Sequence, residues 1–331
     1  MNSFGRIFRI HIFGESHGES VGIVIDGCPA GLPLTADDLL ADLERRKGGK
    51  QKGTTPRQEA DFPFFKSGVF NNKTTGAPIT ILFENNNTRS EDYQKQRSFP
   101  RPGHADWVAH QKFGGNEDFR GGGHFSARLT TGLVAAGAIA KKLMTHVSIA
   151  AAVTEIGGEA DTEKGLQKAI DAKDSVGGIV TCRINGLPVG LGEPFFDSAE
   201  SHLAHILFAI PAVKGVEFGA GFAAARMFGS EHNDAIEDME GKTATNHAGG
   251  MVGGITNGNE LVFRLAIKPT ASTPKTQHSL NWDTGKMEDF SIKGRHDLCV
   301  ALRAPVIVEA AAAIALLDLL MLEQKVPRIV L

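Results

Sequence analysis

The chain has 331 residues and a formal net charge of -3, with 41% hydrophobic and 22% charged residues. This balance is typical of a soluble globular protein, and it excludes the overall positive field with which proteins recruit nucleic acid. The three cysteines are far apart and include no CxxC pair. We therefore expect neither a disulfide framework nor a zinc knuckle, and we expect the reducing environment of the cytoplasm. The most apolar stretch, residues 304–322, contains Glu309 and Asp318, and we expect no membrane span.

Two β-prone segments near the start of the chain flank a glycine-rich turn. Residues 7–13 and 21–27 are apolar and β-branched, and GESHG lies between them at 14–18. These letters match the G-x-S-x-G elbow of serine hydrolases, but that elbow requires a helix after the serine, and 21–27 predicts a strand. We therefore favour His17 over Ser16 as the residue of chemical interest. The alternative for His17 is a turn histidine bonded to backbone.

A helix is predicted to begin near Thr35, whose hydroxyl can cap the first turn together with Asp38. Its apolar face should bury Leu39, Leu40 and Leu43 before glycines end the helix.

The end of this helix is strongly cationic. Six cations occur there with no acid between the first and the last: Arg45, Arg46, Lys47, Lys50, Lys52 and Arg57. Two interpretations are open, a solvated helix end favoured by the macrodipole and a phosphate site. The second requires that these cations fold against residues 98–128.

The remaining pattern contains strands and helices without a repeat or a linker. Strands are predicted at 66–70, 79–83, 147–156, 179–184, 213–218 and 260–268. Helices are predicted at 128–144, 162–173, 197–210 and 305–322. Residues 219–225, GAGFAAA, imitate a dinucleotide-binding fingerprint, but the βαβ context is incomplete, so we predict a turn into a packed helix. We expect one α/β domain over residues 1–331.

Residues 98–128 concentrate groups that bind anions and move protons. The arginines offer planar donors for oxyanions, the histidines titrate near neutral pH, and the glycine triplet lets backbone N–H groups approach a ligand closely. These residues are Arg101, Arg120, Arg128, His104, His110, His124, Gly121, Gly122 and Gly123. The helix that follows directs its positive N-terminal end at the triplet. The segment predicts a site for an anionic compound that undergoes proton transfer, with few acids near its cations.

A metal site is the main alternative in this segment. His104, Asp106 and His110 are of metal-ligating types, but their spacing fits no standard set, and the adjacent Arg101 would repel a cation. We therefore favour the organic anion and expect no metal. Further along, residues 268–273 supply a lysine and several hydroxyls suited to phosphate or ribityl oxygens, and a polar surface turn is the alternative there.

Six short motifs together resemble the chorismate synthase family. They occur in the family's order over essentially the whole chain: FGESHG at 13–18, RPGHAD at 101–106, GGG-x-x-SAR at 121–128, NHAGG at 246–250, LAIKPT at 265–270 and GRHD at 294–297. Each motif alone is weak, but coincidence of all six is improbable. The resemblance implies an α/β (α+β) single-domain β-α-β sandwich of the chorismate synthase type.

The same resemblance implies a lyase. Its reaction would be the anti-1,4-elimination of phosphate from 5-enolpyruvylshikimate 3-phosphate to give chorismate, a step of the shikimate pathway of aromatic amino acid biosynthesis. Reduced FMN would be required without net redox change, NADPH is a candidate reductant, and the family resemblance implies a homotetramer. The alternatives are an NADP-dependent flavin reductase and a non-catalytic phosphate-binding flavoprotein.

Residue roles follow from the resemblance, position by position. His17 resembles the acid near the leaving phosphate, His104 the histidine that protonates the flavin, and Asp297 the acid beside flavin N5. The positions that clamp substrate anions are Arg46, Lys52, Arg101, Arg128 and Arg295, with Arg46 also a candidate for NADP and Arg295 also near the flavin. The positions similar to FMN-binding segments are His124, Phe125, Ser126, Ala212, Gly253, Lys268, Pro269, Thr270, Ala271 and Ser272.

The chain departs from the family pattern in two places. His124-Phe125-Ser126 stands where many members have Arg-Ser-Ser, which removes one cation and one hydroxyl next to the flavin. Lys52 stands where many have arginine, which exchanges a bidentate donor for a point charge. We expect both changes to alter affinity more than activity.

Overall fold

Two antiparallel sheets with helices between them position the functional loops. The computed structural model describes residues 1–49, 51–57, 59–87, 97–292 and 296–330. Its strands are β1 (Ser3–Phe4), β2 (Arg9–Gly14), β3 (Ser20–Asp26), β4 (Phe64–Ser67), β5 (Val69–Phe70), β6 (Lys73–Thr74), β7 (Ile79–Glu84), β8 (Ser148–Ile156), β9 (Gly178–Asn185), β10 (Val213–Phe218), β11 (Met251–Val252), β12 (Ile255–Thr256), β13 (Leu261–Ile267), β14 (Gln277–Asn281) and β15 (Lys286–Phe290).

The described helices are α1 (Asp37–Arg46), α2 (Asp106–Phe113), α3 (Thr130–Leu143), α4 (Thr162–Ala172), α5 (Ala199–Leu207), α6 (Gly229–His232) and α7 (Ala304–Leu322). Short 3₁₀ turns lie at Arg120–Phe125, Ala127–Leu129, Phe195–Asp197, Gly221–Arg226 and Val300–Arg303.

The sheets follow from runs of β-branched and apolar residues. The first has the strand order β1-β2-β3-β7-β4 and the second the order β10-β13-β9-β8, and neighbouring strands are antiparallel in both. In β13 every second side chain is buried, namely Leu261, Phe263, Leu265 and Ile267. This alternation is expected of a sheet that covers a core with one face.

Helices α3 and α7 form the layer between the sheets. A Cβ on Gly137 of α3 would lie 2.3 Å from the Cα of Ala310 in α7, so the two helices are in backbone contact. On its other side α3 lies on β3, where a Cβ on Gly132 would lie 3.1 Å from the Cβ of Ile23. Helix α7 packs in turn on β8 and β9 of the second sheet. This order of layers confirms the predicted α/β (α+β) class and the β-α-β sandwich.

The apolar helix α7 carries two buried acids, and both are bonded inside the protein. Glu309 accepts from Nη1 and Nη2 of Arg45 at 2.7 Å each and from Nζ of Lys141 at 2.9 Å. Asp318 accepts from the backbone N–H groups of Ile7 at 2.7 Å and Phe8 at 2.9 Å. The 23-residue segment that includes α7 is long and apolar enough to cross a membrane, but 89% of its most apolar window is buried inside the protein. These contacts are those of a core helix.

The predicted strands and helices are largely confirmed, but some details were wrong. Leu40 is 36% exposed instead of buried. The Thr35 hydroxyl does not cap α1; it donates to the carboxylate of Asp38 at 3.1 Å, as does the Thr35 backbone N–H at 2.7 Å. The strand predicted at 66–70 is interrupted at Gly68, which has φ of 82°. The glycine-rich segment after β10 forms a 3₁₀ turn whose Phe222 is 83% exposed, not a packed helix.

Candidate active site

A cavity of about 670 Å³ lies at the N-terminal end of α3. Its volume is within the range of roughly 300–1,000 Å³ that small-molecule sites occupy. The sequence-predicted residues that line it are Arg46, Arg101, His104, His124, Phe125, Ser126, Arg128, Ala212, Lys268, Pro269, Thr270, Ala271, Ser272 and Asp297. Arg46, at the cationic end of α1, therefore lines the same cavity as residues of the stretch 98–128. This contact is the one that the phosphate-site interpretation of the cationic helix end requires.

Arg46 is a buried cation with unused hydrogen-bond donors. It is 3% exposed, and its Nη2 donates to Oδ2 of Asp61 at 2.6 Å. Its Nε and Nη1 are buried and have no hydrogen-bond partner among the residues that the structure describes. Burial, opposed by Asp61, lowers the pKa of Arg46 to about 10. An anion in the cavity would supply the missing acceptors.

Asp61 joins Arg46 to Arg128. Its carboxylate is buried, and it accepts from Arg46 through Oδ2 and from Nη1 of Arg128 through Oδ1. Burial by itself raises the pKa of Asp61, but the two guanidinium groups hold it below its usual value. One carboxylate thus faces two guanidinium groups, and the cavity wall keeps a net positive charge at this point.

His17 lies in the turn between β2 and β3 and is 7% exposed. A Cβ on Gly121, whose φ is 61°, would lie 2.2 Å from two atoms of the His17 ring, so the glycine permits this close packing. Burial, and next the positive charges of Arg57 and Arg120, lower the pKa of His17 to about 4. The ring is therefore neutral at pH 7, and an incoming anion would raise its pKa. Gly121, against which the His17 ring packs, lines the cavity together with Ser16.

Asp106, the first residue of α2, organises Arg101 and His104. Its Oδ2 accepts from Nε of Arg101 at 2.7 Å, and its Oδ1 accepts from Nη2 of Arg101 at 2.8 Å and from Nδ1 of His104 at 2.6 Å. Burial by itself raises the pKa of Asp106, but these hydrogen bonds hold it far below its usual range. Because Nδ1 of His104 carries the hydrogen, Nε2 is the ring atom left for proton transfer. A Cβ on Gly122 would lie 3.3 Å from that Nε2, so the glycine turn lies directly against it.

Asp297 is held in place by backbone and by an arginine. Its Oδ1 accepts from the Thr55 N–H at 2.8 Å, and its Oδ2 accepts from Nη1 of Arg303 at 3.1 Å. The preceding His296 also lines the cavity, and burial lowers its pKa to about 4. Arg295, predicted to contact substrate and flavin, lies outside the described residues.

The loop after β13 contributes polar groups to the same cavity. Nζ of Lys268 donates to the carbonyl of Gly103, and Oγ of Ser272 accepts from Nη1 of Arg101 at 3.4 Å. Oγ1 of Thr270 is buried and has no hydrogen-bond partner within the described ranges. An unsatisfied buried hydroxyl costs about 1–3 kcal/mol, so this position suits an oxygen of a bound ligand.

The side chain of His124 is already engaged within the chain. Its Nδ1 donates to the carbonyl of Gly14 at 2.8 Å, and its Nε2 lies 3.1 Å from Oδ1 of Asn2. His124, one of the residues that depart from the family pattern, thus bonds the glycine turn to the end of β2 and to Asn2. The first four residues of the chain also line the cavity.

The family model for chorismate synthase matches residues 8–321 of this chain. The chorismate synthase of Chitinophaga pinensis is 69% identical over 330 residues, which cover 99% of each protein. The chain belongs to the chorismate synthase family. It is accordingly an enzyme, a carbon–oxygen lyase that acts on phosphates (EC 4.2.3.5). A chorismate synthase of Dehalococcoides mccartyi is 44% identical over 360 residues, with 99% of each protein covered. A crystal structure of chorismate synthase has a TM-score of 0.73 and 26% identity, and the match covers 96% of this chain and 93% of that one.

Three described residues assigned by the resemblance to chorismate synthase do not line the cavity: His17, which lies behind Gly121, and also Lys52 and Gly253. Lys52 is exposed, and its Nζ donates to Oε1 of Gln167 at 2.9 Å. Gly253 lies in the turn between β11 and β12, where a Cβ would meet no atom within 4 Å.

The expectation that the cations have few acids near them is wrong. Each of Arg46, Arg101 and Arg128 is bonded to a carboxylate, from either Asp61 or Asp106. Asp61 was missed because it is 67 residues before its partner Arg128 in the chain. No local pattern identifies such a partner, and the only hint is that two acids, Glu59 and Asp61, follow the cationic segment.

The serine-hydrolase interpretation of GESHG does not match the structure. Ser16 is followed by β3 instead of a helix, and its Oγ accepts from Nη1 of Arg57 at 3.1 Å, so it does not form a hydrolase elbow. His110 bonds Glu117 at 3.2 Å, and its ring centroid lies 4.8 Å from that of Trp282. Over the ranges that the structure describes, no group of three or more His, Cys, Asp or Glu side chains is arranged to hold a metal.

Proposed function

We propose that this protein converts 5-enolpyruvylshikimate 3-phosphate to chorismate and phosphate by anti-1,4-elimination, with reduced FMN and without net redox change, in the shikimate pathway. The observation that carries the proposal is one cavity of about 670 Å³ lined by Arg46, Arg101 and Arg128, with His104 in its wall and His17 directly behind it. The substrate has two carboxylates and a phosphate, and buried guanidinium donors suit all three.

The arginines bind and orient the substrate. Two buried donor nitrogens of Arg46, Nε and Nη1, have no partner in the described part of the chain, and a substrate oxyanion would supply acceptors for them. Arg128 and Arg101 are already oriented by Asp61 and Asp106, so little side-chain entropy is lost when the anion binds. Arg295 and Lys52 are further candidates for anion contacts, and Arg46 is the candidate contact for NADP.

His17 is the proposed acid for the departing phosphate. It is neutral at pH 7 because burial and two arginines lower its pKa to about 4. A phosphate dianion beside it favours the protonated ring, which can then give its proton to the leaving oxygen. The buried position also excludes water from the reacting atoms.

The residues present fit a flavin mononucleotide. The unpartnered hydroxyl of Thr270, with Lys268 and Ser272 beside it, suits ribityl or phosphate oxygens. When bound in its reduced form, FMN supplies a transient electron donor for the elimination. His104, with its Nδ1 held by Asp106, can move a proton at Nε2, and Asp297 is the carboxylate we place beside the flavin ring.

The proposal extends to assembly and location. We propose a cytoplasmic homotetramer in which each chain acts as one domain, with a small-molecule substrate, no nucleic-acid partner and no membrane attachment. Two adjacent phenylalanines support a self-association surface, since Phe195 and Phe196 are 87% and 93% exposed side by side in the chain.

An anaerobic assay with chemically reduced FMN tests the reaction. We expect phosphate release and chorismate formation without stoichiometric flavin oxidation. Steady NADPH consumption without chorismate would instead identify a flavin reductase, and flavin binding without any turnover would identify a non-catalytic flavoprotein. A second assay, with NADPH and FMN as the sole reductant system, decides whether the protein reduces its own flavin.

A further inference from the structure

Asn85, the residue that follows β7, is bonded to the turn that carries His17. Nδ2 of Asn85 donates to the carbonyl oxygens of Glu15 at 3.1 Å and Gly18 at 2.9 Å, on either side of His17. Oδ1 of Asn85 accepts from Nε of Arg128 at 2.8 Å. Both partners of Nδ2 are carbonyl oxygens, which only accept, so the orientation of the amide is determined by its hydrogen bonds.

The backbone of Asn85 holds the same turn. Its N–H donates to the carbonyl of Glu19 at 3.0 Å, so one residue bonds three carbonyl groups of the segment 15–19. On the opposite side, the Ser16 N–H donates to the carbonyl of Gly123 at 3.1 Å. His17 is therefore held between the end of β7 and the glycine turn.

We propose that Asn85 is a positioning residue that sets the placement of His17 relative to the anion held by Arg128. The proposal rests on the function proposed above. The Asn85 side chain bonds both the His17 turn and Arg128, so it links the proposed acid to the proposed clamp. A displacement of about 1 Å in such an arrangement is enough to slow catalysis on the order of 10²-fold.

Three variants separate positioning from folding and from charge. Asn85→Leu removes every side-chain hydrogen bond at similar size, and Asn85→Asp keeps the acceptor for Arg128 but directs a carboxylate oxygen at two carbonyl groups. Asn86→Leu, at an exposed neighbour that bonds Glu59 through its backbone N–H, is the matched control.

We expect Asn85→Leu and Asn85→Asp each to lower kcat about 10-fold or more in folded protein. KM should change less in Asn85→Asp than in Asn85→Leu, because only the first retains an acceptor for Arg128. A titration of the His17 ring by NMR should show its midpoint shifted upward in Asn85→Leu, since the turn becomes less buried. Asn86→Leu should match the wild type in all three measurements.

The idea is overturned if folded Asn85→Leu keeps kcat within about twofold, or if its His17 titration is unchanged. A defect in Asn85→Asp alone would also overturn it, because the cause would then be the added charge. The NMR measurement needs no turnover, so failure of the wild type to form chorismate would contradict only the proposed function and leave the positioning test intact.

Discussion

Two carboxylates, Asp61 and Asp106, orient cations of the cavity. Asp61 lies between Arg46 and Arg128, and Asp106 lies between Arg101 and His104. Such pairs contribute little net stability, because desolvation offsets the attraction, but loss of one partner leaves a buried charge uncompensated. Their main effect is to hold the cations in one geometry before an anion enters.

The first residue-scale prediction concerns Asp61. Asp61→Asn should destabilise the protein by about 3–5 kcal/mol, because two buried guanidinium groups lose their shared counter-charge. Added phosphate should stabilise this variant more than the wild type, since an anion can replace the lost carboxylate. Urea unfolding with and without phosphate measures both effects.

Asp118→Asn is the control for that prediction, since Asp118 pairs with the more exposed Arg120. We expect a loss of about 1 kcal/mol or less for this variant. Equal losses at Asp61 and Asp118 would contradict the role of the buried carboxylate.

The second residue-scale prediction concerns pH. The pKa of His17 is about 4 in the folded protein against an ordinary value of 6.5. Below pH 6.5 the unfolded chain binds a proton that the folded chain does not, so stability falls as the pH is lowered from 6.5 to 4. We expect His17 to contribute on the order of 3 kcal/mol to this loss of unfolding free energy. The His17→Gln variant should therefore lose less stability than the wild type by about that amount.

Urea unfolding of the wild type and of His17→Gln at pH 7 and pH 4.5 measures how much stability each protein loses. His278→Gln, at an exposed site, should lose as much stability as the wild type. If His17→Gln also loses as much as the wild type, the histidine is not buried in its neutral form.

At the scale of elements, the contact between α3 and α7 determines how the two sheets are joined. Helix α3 is rich in glycine, alanine and threonine, and at Gly137 the helix backbone lies against Ala310 of α7. This close approach places the N-terminus of α3 at the cavity, where the positive end of its dipole favours an anion.

Gly137→Ala should therefore destabilise the protein in spite of the better helix propensity of alanine. The added Cβ would lie 2.3 Å from both Cα and Cβ of Ala310, and overpacking of this kind costs about 1–3 kcal/mol. Gly229→Ala, where a Cβ meets no atom within 4 Å, is the control and should be neutral or slightly stabilising. Thermal unfolding of both variants measures these effects. A stabilised Gly137→Ala variant would contradict the close packing of α3 on α7.

At the scale of the whole molecule, large apolar side chains are exposed on the segment that precedes α5. Phe195 and Phe196 are 87% and 93% exposed. We expect the double variant Phe195→Ser, Phe196→Ser to shift the particle mass measured by light scattering from the tetramer towards smaller species. Phe70→Ser, at a 70% exposed site in β5, should leave the mass unchanged. A monomeric wild type would contradict the proposed assembly.

Much of this protein could be predicted from local sequence. Short apolar, β-branched runs predicted strands such as β3 and β13, and the long apolar run at 305–322 predicted α7, because such runs reflect burial in a core. The six motifs identified the family, and that identification is confirmed. Element ends and turn details, such as the break at Gly68, depend on neighbours that the local pattern does not contain.

The sequence by itself determined the fold class and the family, and it identified fourteen of the residues that line the cavity. Only the tertiary structure decided which acid each arginine bonds, that His17 is buried and neutral, and that Asn85 joins its turn to Arg128. The physical reason is that charge pairing and desolvation act through space, between groups far apart in the chain, as between Arg45 and Glu309, which are 264 residues apart. Periodicity and motifs report on neighbours along the chain, whereas the proton affinity of a buried group is determined by its neighbours in space.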